Sequence, residues 1–370
     1  MSTTEMRLSR EWATRPSDER FVSLPALRDM QLSLRNKSAV ALKHLSELHF
    51  EMNHRDEQVL LCTSKAQAQP THWAMSQLCS VIGAPAGYIR ELPLDVGVQC
   101  LNASLEGTAK SLPAKDQHSV LLSRGSPDEP IRLRALNSDS YGRIWDHQVT
   151  TALMEAVGDG VNGDFVVPGE FGKRVPITQS NTTIYGGDRS MFVFLADEQR
   201  RVEIPNRRDG KPGGLARGVM VSNSEVGGGT LRLDYMLYDY ICSNRIIWGA
   251  QHLSSLKIRH SSGAPERFIY EALPAIEQFT RSTDLDVIGR IIAAQRAIPA
   301  NMGKFLIDRY GRAAAARYQA AHMADEGRPI ESLWDVVTGM TAAARSITWQ
   351  DERVKIESDA GKILDLVTID

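Results

Sequence analysis

The spacing of apolar residues changes along this chain, and the change limits the folds that it can adopt. Between residue 118 and about residue 250, apolar side chains recur at every second position or in short runs, as in IRLRAL and TLRLDYMLYDYI. A period of two is typical of strands, because successive side chains point to opposite faces of a sheet. After residue 265 the spacing becomes three and four, which is typical of helices. The pattern predicts an α+β fold with a mostly antiparallel central sheet and a helical C-terminal third.

The same pattern divides the chain into three regions. They are a mainly helical N-terminal segment at 1–117, an antiparallel sheet core at 118–262 and a helical C-terminal region at 263–370. One helix, IWDHQVTTALMEAV, interrupts the strands and is expected to pack on the sheet. In the last region AAAARYQAAHMADEG is a strong helix former that Gly327 closes.

Three helices are expected in the N-terminal segment, after a polar stretch to about residue 37 that contains an ordered but irregular lead-in around WATRPSDERFVSL. Residues 38–50, SAVALKHLSELHF, repeat apolar positions at three and four and begin with Ser38 as a cap. The second helix runs through THWAMSQLCSVIG, where Thr71 is the N-cap and Gly83 ends the helix. A third is expected near residues 93–105.

Composition places the chain among globular proteins of a reducing compartment. With 370 residues, 42% apolar and 24% charged, it can bury a core and is not expected to be disordered. No apolar run reaches the roughly 20 residues of a membrane span, and the N-terminus lacks the apolar core of a secretory signal. Four scattered cysteines, at positions 62, 79, 100 and 242, predict neither structural zinc nor a disulfide framework. We expect a cytoplasmic protein without a membrane partner, whose cysteines Cys79 and Cys242 are reduced and buried.

A basic stretch at 200–218, RRVEIPNRRDGKPGGLARG, lies between two predicted strands. Six basic side chains face two acidic ones, a local charge of +4 in a chain whose formal charge is −2. Its Pro and Gly content predicts a hairpin-like connection whose cations could neutralise phosphates. The alternative is a solvated loop whose charge keeps a hairpin tip in water. The basic residues are Arg200, Arg201, Arg207, Arg208, Lys211 and Arg217.

A second basic stretch spans residues 287–318, where six basic side chains accompany Asp308 alone, a local charge of +5. Phe305, Tyr310 and Tyr318 lie among them and could stack on bases. The alternative is an ordinary helical surface with the aromatic rings in the core. The basic residues are Arg290, Arg296, Lys304, Arg309, Arg312 and Arg317.

No complete motif for catalysis, metal binding or nucleotide binding is present, so no cofactor is predicted. SNSEVGGGT at 222–230 is neither a dinucleotide fingerprint nor a phosphate-binding loop, and we interpret it as a tight strand connection. Cys242 reads as a packing residue, and His252 and His260 as structural histidines. Five acidic candidates for a metal-dependent nuclease are dispersed: Asp139, Asp146, Asp188, Glu225 and Asp234. The alternative to a non-catalytic protein is an enzyme with a site around Asp188, Glu225, Asn244 and Arg245.

Several segments taken together resemble a family of uncharacterised phage and plasmid proteins, domain of unknown function 932. They keep the family's order over about residues 12–345: WATRPSDERFVSL, THWAMSQLCSVIGAPAGYIRELP, RALNSDSYGRIWDHQV, YGGDRSMFVFL, RGVMVSNSEVGGGTLRLDYMLYDYICSNRIIWG and ESLWDVVTGMTAAAR. The resemblance implies a protein of a mobile element and assigns no activity to any residue.

The predicted fold is also similar, more loosely, to the single-strand annealing proteins of phage recombination. Those proteins combine a small antiparallel sheet, a packed helix and flanking helices, and assemble into rings that hold single-stranded DNA in a basic groove. The likeness concerns the fold alone and matches no motif of theirs. It implies a non-catalytic nucleic-acid-binding homo-oligomer acting in recombination or replication. The other hypotheses are a metal-dependent enzyme acting on nucleic acid or nucleotides, and an inhibitor of a host protein.

Overall fold

Two β-sheets with helices packed against them form the fold, which we describe from a computed structural model. The structure describes residue 12 and residues 14–53, 57–125, 129–168, 176–204, 213–239, 244–248, 255–281 and 285–367. The α+β class is confirmed, with one antiparallel sheet, one mixed sheet and a helical C-terminal region. The sequence predicted a single central sheet, so the second sheet is the main addition.

The smaller sheet, which we call the N-terminal sheet, has six strands in the order β2-β6-β7-β5-β4-β3. The strands are β2 (Ser38–Lys43), β3 (His49–Asn53), β4 (Gln58–Cys62), β5 (Gln67–Pro70), β6 (His118–Ser123) and β7 (Ile131–Ser138). All neighbours are antiparallel except β5 and β7, which run parallel. The sheet joins strands from both sides of residue 117, where the sequence suggested a boundary.

The larger sheet is antiparallel and has eight strands, with β1-β9-β10-β11-β12-β13 in order, β14 beside β12 and β8 beside β10. The strands are β1 (Glu19–Phe21), β8 (Phe165–Val166), β9 (Ile184–Gly186), β10 (Met191–Ile204), β11 (Gly213–Asn223), β12 (Leu231–Asp239), β13 (Asn244–Ile247) and β14 (Leu256–Ile258). It contains most of the strands predicted between residues 118 and 250.

Helices flank both sheets and make up most of the described part of the chain after residue 264. They are α1 (Leu24–Asn36), α2 (His72–Val81), α3 (Ala86–Ile89), α4 (Leu94–Ser111), α5 (Asp146–Val157), α6 (Ala264–Arg267), α7 (Leu273–Arg281), α8 (Leu285–Arg296), α9 (Met302–Tyr310), α10 (Arg312–Glu326), α11 (Leu333–Ala344) and α12 (Gln350–Gly361). Short 3-10 turns cover Leu45–Glu47 and Leu364–Leu366, and Phe268–Ala272 forms a π-helical turn. No helix among the described residues is long and apolar enough to cross a membrane.

The position of β12 inside the large sheet explains why its sequence is apolar on both faces. Leu231, Leu233 and Leu237 lie in the main core, which α1, α5 and the C-terminal helices cover. Met236 and Tyr238 point to the opposite face, where they pack with Val354 of α12. Both faces of this sheet are therefore covered, and β12 keeps the alternation that the sequence predicted.

The helix predicted at residues 38–50 is wrong. The segment forms β2, a 3-10 turn and β3 instead, and β2 pairs with β6 along its whole length, from Ser38 opposite Ser123 to Lys43 opposite His118. Apolar positions at three and four also fit alternation here, and long-range strand pairing decides between the two. The lead-in at residues 12–24 contains one short strand, β1, and the helix that follows it, α1 at Leu24–Asn36 with Ser23 as its cap, is one that the sequence pattern did not predict.

The helices whose ends carry local signals are where the sequence places them. The Ala74 backbone N–H donates to Thr71 Oγ1 at 3.1 Å at the start of α2, and Gly83 follows its end with φ +68°. Gly327 ends α10 in the left-handed conformation, with φ +72°. The expected third helix is α4, which is longer than predicted.

Candidate functional site

The first basic stretch connects the two longest strands of the large sheet. β10 and β11 pair from Met191 opposite Asn223 to Ile204 opposite Gly213, with a shift of register between Ala196 and Arg201. The pairing confirms a hairpin, but its connection is shorter than the predicted loop at 200–218, because β10 continues to Ile204 and β11 begins at Gly213. Arg207, Arg208 and Lys211 fall between Ile204 and Gly213, outside the described residues, and so do the side chains of Arg200 and Arg201. Their contact with phosphate stays a prediction.

Arg217 does not fit the predicted exposed loop, and that placement is wrong. It lies within β11, is 3% exposed, and its Nε donates to Asp197 Oδ2 at 2.8 Å. Its guanidinium also lies 5.4 Å from the ring centre of Phe165. A buried, paired arginine is not offered to a nucleic-acid backbone, so Arg217 belongs to the interior of the fold.

The second basic stretch lies on α8, α9 and α10, and most of its cations face solvent. Five of them are exposed, and we call these the helical basic residues: Arg296, Lys304, Arg309, Arg312 and Arg317. Lys304 forms a 2.6 Å salt bridge with Asp308, one turn away on α9. Arg290 is only partly exposed, and its guanidinium lies 5.7 Å from the ring centre of Trp248.

The aromatic residues of this stretch serve mainly the core. Tyr318 is 4% exposed and meets Tyr310 edge to face, with ring centres 5.4 Å apart. Phe305 and Tyr310 are partly buried against the main core. This surface is therefore an ordinary helical surface, with its aromatic rings in the core and its arginine side chains outside. Stacking on nucleic-acid bases would require aromatic rings elsewhere in the protein.

The four residues of the alternative enzyme site do not come together. Asn244 and Arg245 pair with Asp239 and Tyr238 at the far end of β12. Glu225 precedes the near end of that strand, which begins at Leu231. At about 3.4 Å per residue, the length of β12 separates the two ends by more than about 20 Å. The structure thus splits the predicted site into separate clusters.

Glu225 lies in a buried polar cluster between the two sheets, which we call the sheet junction. Its Oε1 is 2.5 Å from Nη2 of Arg134 in β7, and its Oε2 accepts the backbone N–H of Asp146 at 3.0 Å. Arg143 donates to the backbone oxygen of Glu225. Both side chains of the ion pair are almost fully buried, so a charge left there without its partner would destabilise the fold.

Asp146 is the second carboxyl group of the sheet junction. Its Oδ1 accepts from Asn223 Nδ2 at 2.8 Å. Burial, and then the negative charge of Glu225, hold the pKa of Asp146 well above its usual range. Two of the five dispersed acidic candidates thus meet. The guanidiniums of Arg134 and Arg143 lie beside them, however, and this positive charge opposes a metal ion at the pair.

The glycine-rich segment SNSEVGGGT has the tight backbone that its sequence predicted. Gly227 has φ +92°, and a Cβ there would lie 2.5 Å from Asn137 Nδ2. At Gly228 a Cβ would lie 2.6 Å from the side chain of Arg189. Gly228 donates its N–H to Ser224 Oγ at 2.6 Å, so this amide is used within the connection. The segment makes a close backbone approach and does not form an anion cradle at this amide.

Side chains of the N-terminal sheet and its helix hold this segment from the other side. The carbonyl oxygen of Val226 accepts hydrogen bonds from Trp73 Nε1, Gln77 Nε2 and Asn137 Nδ2, at 2.8–3.1 Å. Two of the segments on which the family resemblance rests, around residues 134–149 and 218–248, therefore meet at the sheet junction. We interpret their distinctive residues as the contacts that fix one sheet against the other.

Arg245 is the centre of a separate buried cluster beneath α12. Its Nε donates to Glu357 Oε1 at 2.9 Å and its Nη2 to Gln350 Oε1 at 2.8 Å, while its guanidinium lies 3.6 Å from the ring centre of Phe194. Burial lowers the pKa of Arg245. These contacts attach α12 to the large sheet and leave no face of Arg245 to solvent.

Asp188 lies near Arg15 and Asp18 of the N-terminal segment, and Arg15 in turn contacts α12. Burial raises its pKa against the influence of Arg15, and Asp18 acts in the same direction as burial. Arg15 and Arg189 both pair with Asp351 of α12, at 2.5 and 2.9 Å. This network of opposite charges is a packing contact, and no catalytic pair with Asp188 is evident among the described residues.

An open cavity of about 630 Å³ lies beside this network, lined by residues that the sequence did not single out. Asp18, Arg20, Gln179 and Tyr185 contribute to its wall. Arg20 donates to the backbone oxygens of Gln179 and Ser180 at 3.2 and 3.1 Å, and lies 5.7 Å from the ring centre of Tyr185. The guanidinium is thus held by the wall of the cavity itself.

The cysteines and histidines mostly take structural places. Cys79 is a buried free thiol, as predicted, and Cys242 lies outside the described residues together with His252. His260 stacks on Tyr141 with ring centres 5.0 Å apart and places Nδ1 3.1 Å from the Gly142 oxygen. This contact agrees with the structural role expected of His260.

Comparisons with known proteins add no assignment to this geometry. No protein-family model, no curated protein and no solved structure matches the chain.

Proposed function

We propose that this protein binds nucleic acid, single-stranded DNA in the first place, without catalysing a reaction. The observation that carries the proposal is the hairpin of β10 and β11. Its strands pair as far as Ile204 and Gly213, so the basic residues between them belong to a short connection at one end of the sheet. Connections of this kind present cations to a phosphate backbone without disturbing the core.

The helical basic residues support a second contact. Between residues 296 and 317 five exposed cations face one exposed acid, Asp308, which leaves four positive charges on a surface of three short helices. Such a surface neutralises phosphates and releases counterions, with little dependence on base sequence. Base stacking would use exposed rings, of which Tyr270 is 78% and Tyr88 61% exposed.

The wider setting of the proposal is recombination or replication of a phage or plasmid, in the cytoplasm, by a homo-oligomer. Cys62, Cys79 and Cys100 are free thiols, which suits a reducing compartment. β2 is an edge strand of the N-terminal sheet, and its Val40 and Leu42 are each 50% exposed. An exposed edge with apolar side chains favours pairing with another chain.

A mobility shift with single-stranded and double-stranded oligonucleotides, in the presence of a chelator, tests the proposal. We expect binding that weakens steeply between about 50 and 200 mM salt, with single strands preferred. The mass of the protein in solution, measured beside it, tests the homo-oligomer. Absence of binding to either nucleic acid at low salt would end the proposal. Turnover of the oligonucleotide that depends on added divalent metal would favour the enzyme hypothesis.

A further inference from the structure

An imidazole, a carboxylate and a thiol converge on the outer part of the N-terminal sheet. His49 and Cys62 stand directly opposite each other in the pairing of β3 with β4. Glu51 follows His49 by two residues and therefore shares its face of the sheet. The ligand atoms of the three side chains all lie within 4.8 Å of one another. Neither strand carries a basic residue between these positions, since the chain there reads HFEMN and QVLLC.

We propose that His49, Glu51 and Cys62 bind a thiophilic divalent cation, Zn²⁺ being the best fit. Tetrahedral zinc sites take nitrogen, oxygen and sulfur ligands at roughly 2.0–2.3 Å, so neighbouring ligand atoms lie about 3.3–3.8 Å apart. His49 Nε2 and Glu51 Oε1 are already 2.9 Å apart. The other two separations are at most 4.8 Å, which is about 1 Å more than the upper value for a tetrahedral site.

Two features of the surroundings suit a cation. The second carboxylate oxygen of Glu51 accepts a hydrogen bond from Gln67 Nε2 at 2.9 Å, which orients the carboxylate as outer partners of metal ligands do. The side chains of His49 and Glu51 are 54% and 44% exposed, whereas Cys62 is buried. A cation would therefore be held between the sheet and solvent, with water completing its coordination.

The cation would also change the state of Cys62. Burial, and then the neighbouring Glu51, raise the pKa of the Cys62 thiol to about 12. A bound Zn²⁺ takes the thiolate as ligand, so the thiol proton is released to solvent as the Zn–S bond forms. No oxidant or reductant is involved. The proposal is independent of nucleic-acid binding, because none of the residues of the basic stretches takes part in it.

Metal binding to the tag-free protein tests the site directly. Equilibrium dialysis against Zn²⁺ is expected to give one ion per chain. Co²⁺ in its place is expected to produce a thiolate-to-cobalt charge-transfer band in the near ultraviolet. Cys62→Ser should abolish this band and weaken zinc binding about 10-fold or more. Cys100→Ser is the matched control and should keep both the band and the affinity.

His49→Gln separates loss of a ligand from loss of folding. Its side chain is more than half exposed, so the variant should melt as the parent does without metal. Zinc is expected to raise the melting temperature of the parent and to leave that of the variant unchanged. If the parent takes up no zinc, or if Cys62→Ser and His49→Gln bind it as tightly as the parent, the site does not exist.

Discussion

Arg134 of β7 and Glu225 of the connection after β11 form a 2.5 Å ion pair that joins the two sheets. The side chains are 7% and 4% exposed, so neither charge has water as an alternative partner. The backbone N–H of Asp146 donates to the other oxygen of Glu225. One carboxylate therefore holds β7, the start of α5 and the connection after β11 together.

Replacing Glu225 by Gln should destabilise the protein strongly. The change keeps the shape of the side chain but leaves Arg134 charged and buried, which costs about 3–5 kcal/mol in the free energy of unfolding. Urea denaturation measures it. Glu106→Gln, which breaks an exposed pair with Lys110, should leave the urea midpoint where it was. Replacing Arg134 and Glu225 together by Met should recover much of the loss, and a double variant as unstable as the single one contradicts this account.

Replacing Arg207, Arg208 and Lys211 together by Ala should weaken nucleic-acid binding equally for all sequences. Each phosphate contact that is lost should lower the log–log salt slope on single strands by about 0.7. Thermal melting should not change, because surface charges contribute little to stability. Fluorescence anisotropy over a salt series measures both quantities. The control is the triple variant Lys65→Ala, Lys110→Ala and Lys362→Ala, which removes the same charge elsewhere.

Parental affinity and salt slope in the hairpin variant would show that the hairpin does not contact phosphate. The helical basic residues would then be the next target, as Arg296→Ala, Lys304→Ala and Arg312→Ala combined. If both triple variants bind as the parent does, the two basic stretches are only solvated surfaces.

Asp146→Asn should become more stable relative to the parent as the pH rises. The pKa of Asp146 is raised in the folded protein, so the folded state holds this proton more tightly than the unfolded chain. The parent therefore keeps the contribution of Asp146 below the unfolded pKa, near 3.9, and loses it as pH rises through the folded pKa. The difference should grow to about 1.4 kcal/mol for each unit by which the pKa is raised. Urea midpoints of both proteins between mildly acidic and alkaline pH measure it, and parallel curves contradict it.

Asp335→Asn should show the opposite dependence on pH. Burial acts to raise the pKa of Asp335, but hydrogen bonds from His322, Arg328 and the backbone of Glu331 and Ser332 outweigh it and lower the pKa. Stability from such a group is present above the unfolded pKa and is lost as pH falls through the folded one. At neutral pH the variant should lose about 1.5–3 kcal/mol. The gap should close in acid, and a gap that persists there would point to packing instead.

The parts of the fold that the sequence predicts well carry their signals locally. Thr71 lies three residues before the N–H that it caps, and Gly327 supplies the left-handed residue that ends α10. Alternation from Leu231 to Leu237 identifies β12, because its leucines at every second position face the main core. Signals of this kind need no knowledge of distant residues.

Other features depend on partners that no local pattern reveals. The local pattern of residues 38–50 predicts a helix. In the folded chain β2 pairs instead with β6, which lies about 80 residues later. Arg217 reads as part of a loop, yet Asp197 across the hairpin makes it an interior residue. A segment's own propensity is worth a few tenths of a kcal/mol per residue, and strand pairing or a buried ion pair exceeds it.

The sequence by itself therefore determined the class of fold, the local helix ends and the two concentrations of positive charge. Tertiary structure alone decided which charges meet: Arg134 with Glu225, Arg245 with Glu357, and His49 with Glu51 and Cys62. Side-chain interactions act over a few ångströms, whereas Arg245 and Glu357 are 112 positions apart in the chain. Only the folded arrangement brings such groups within range of each other.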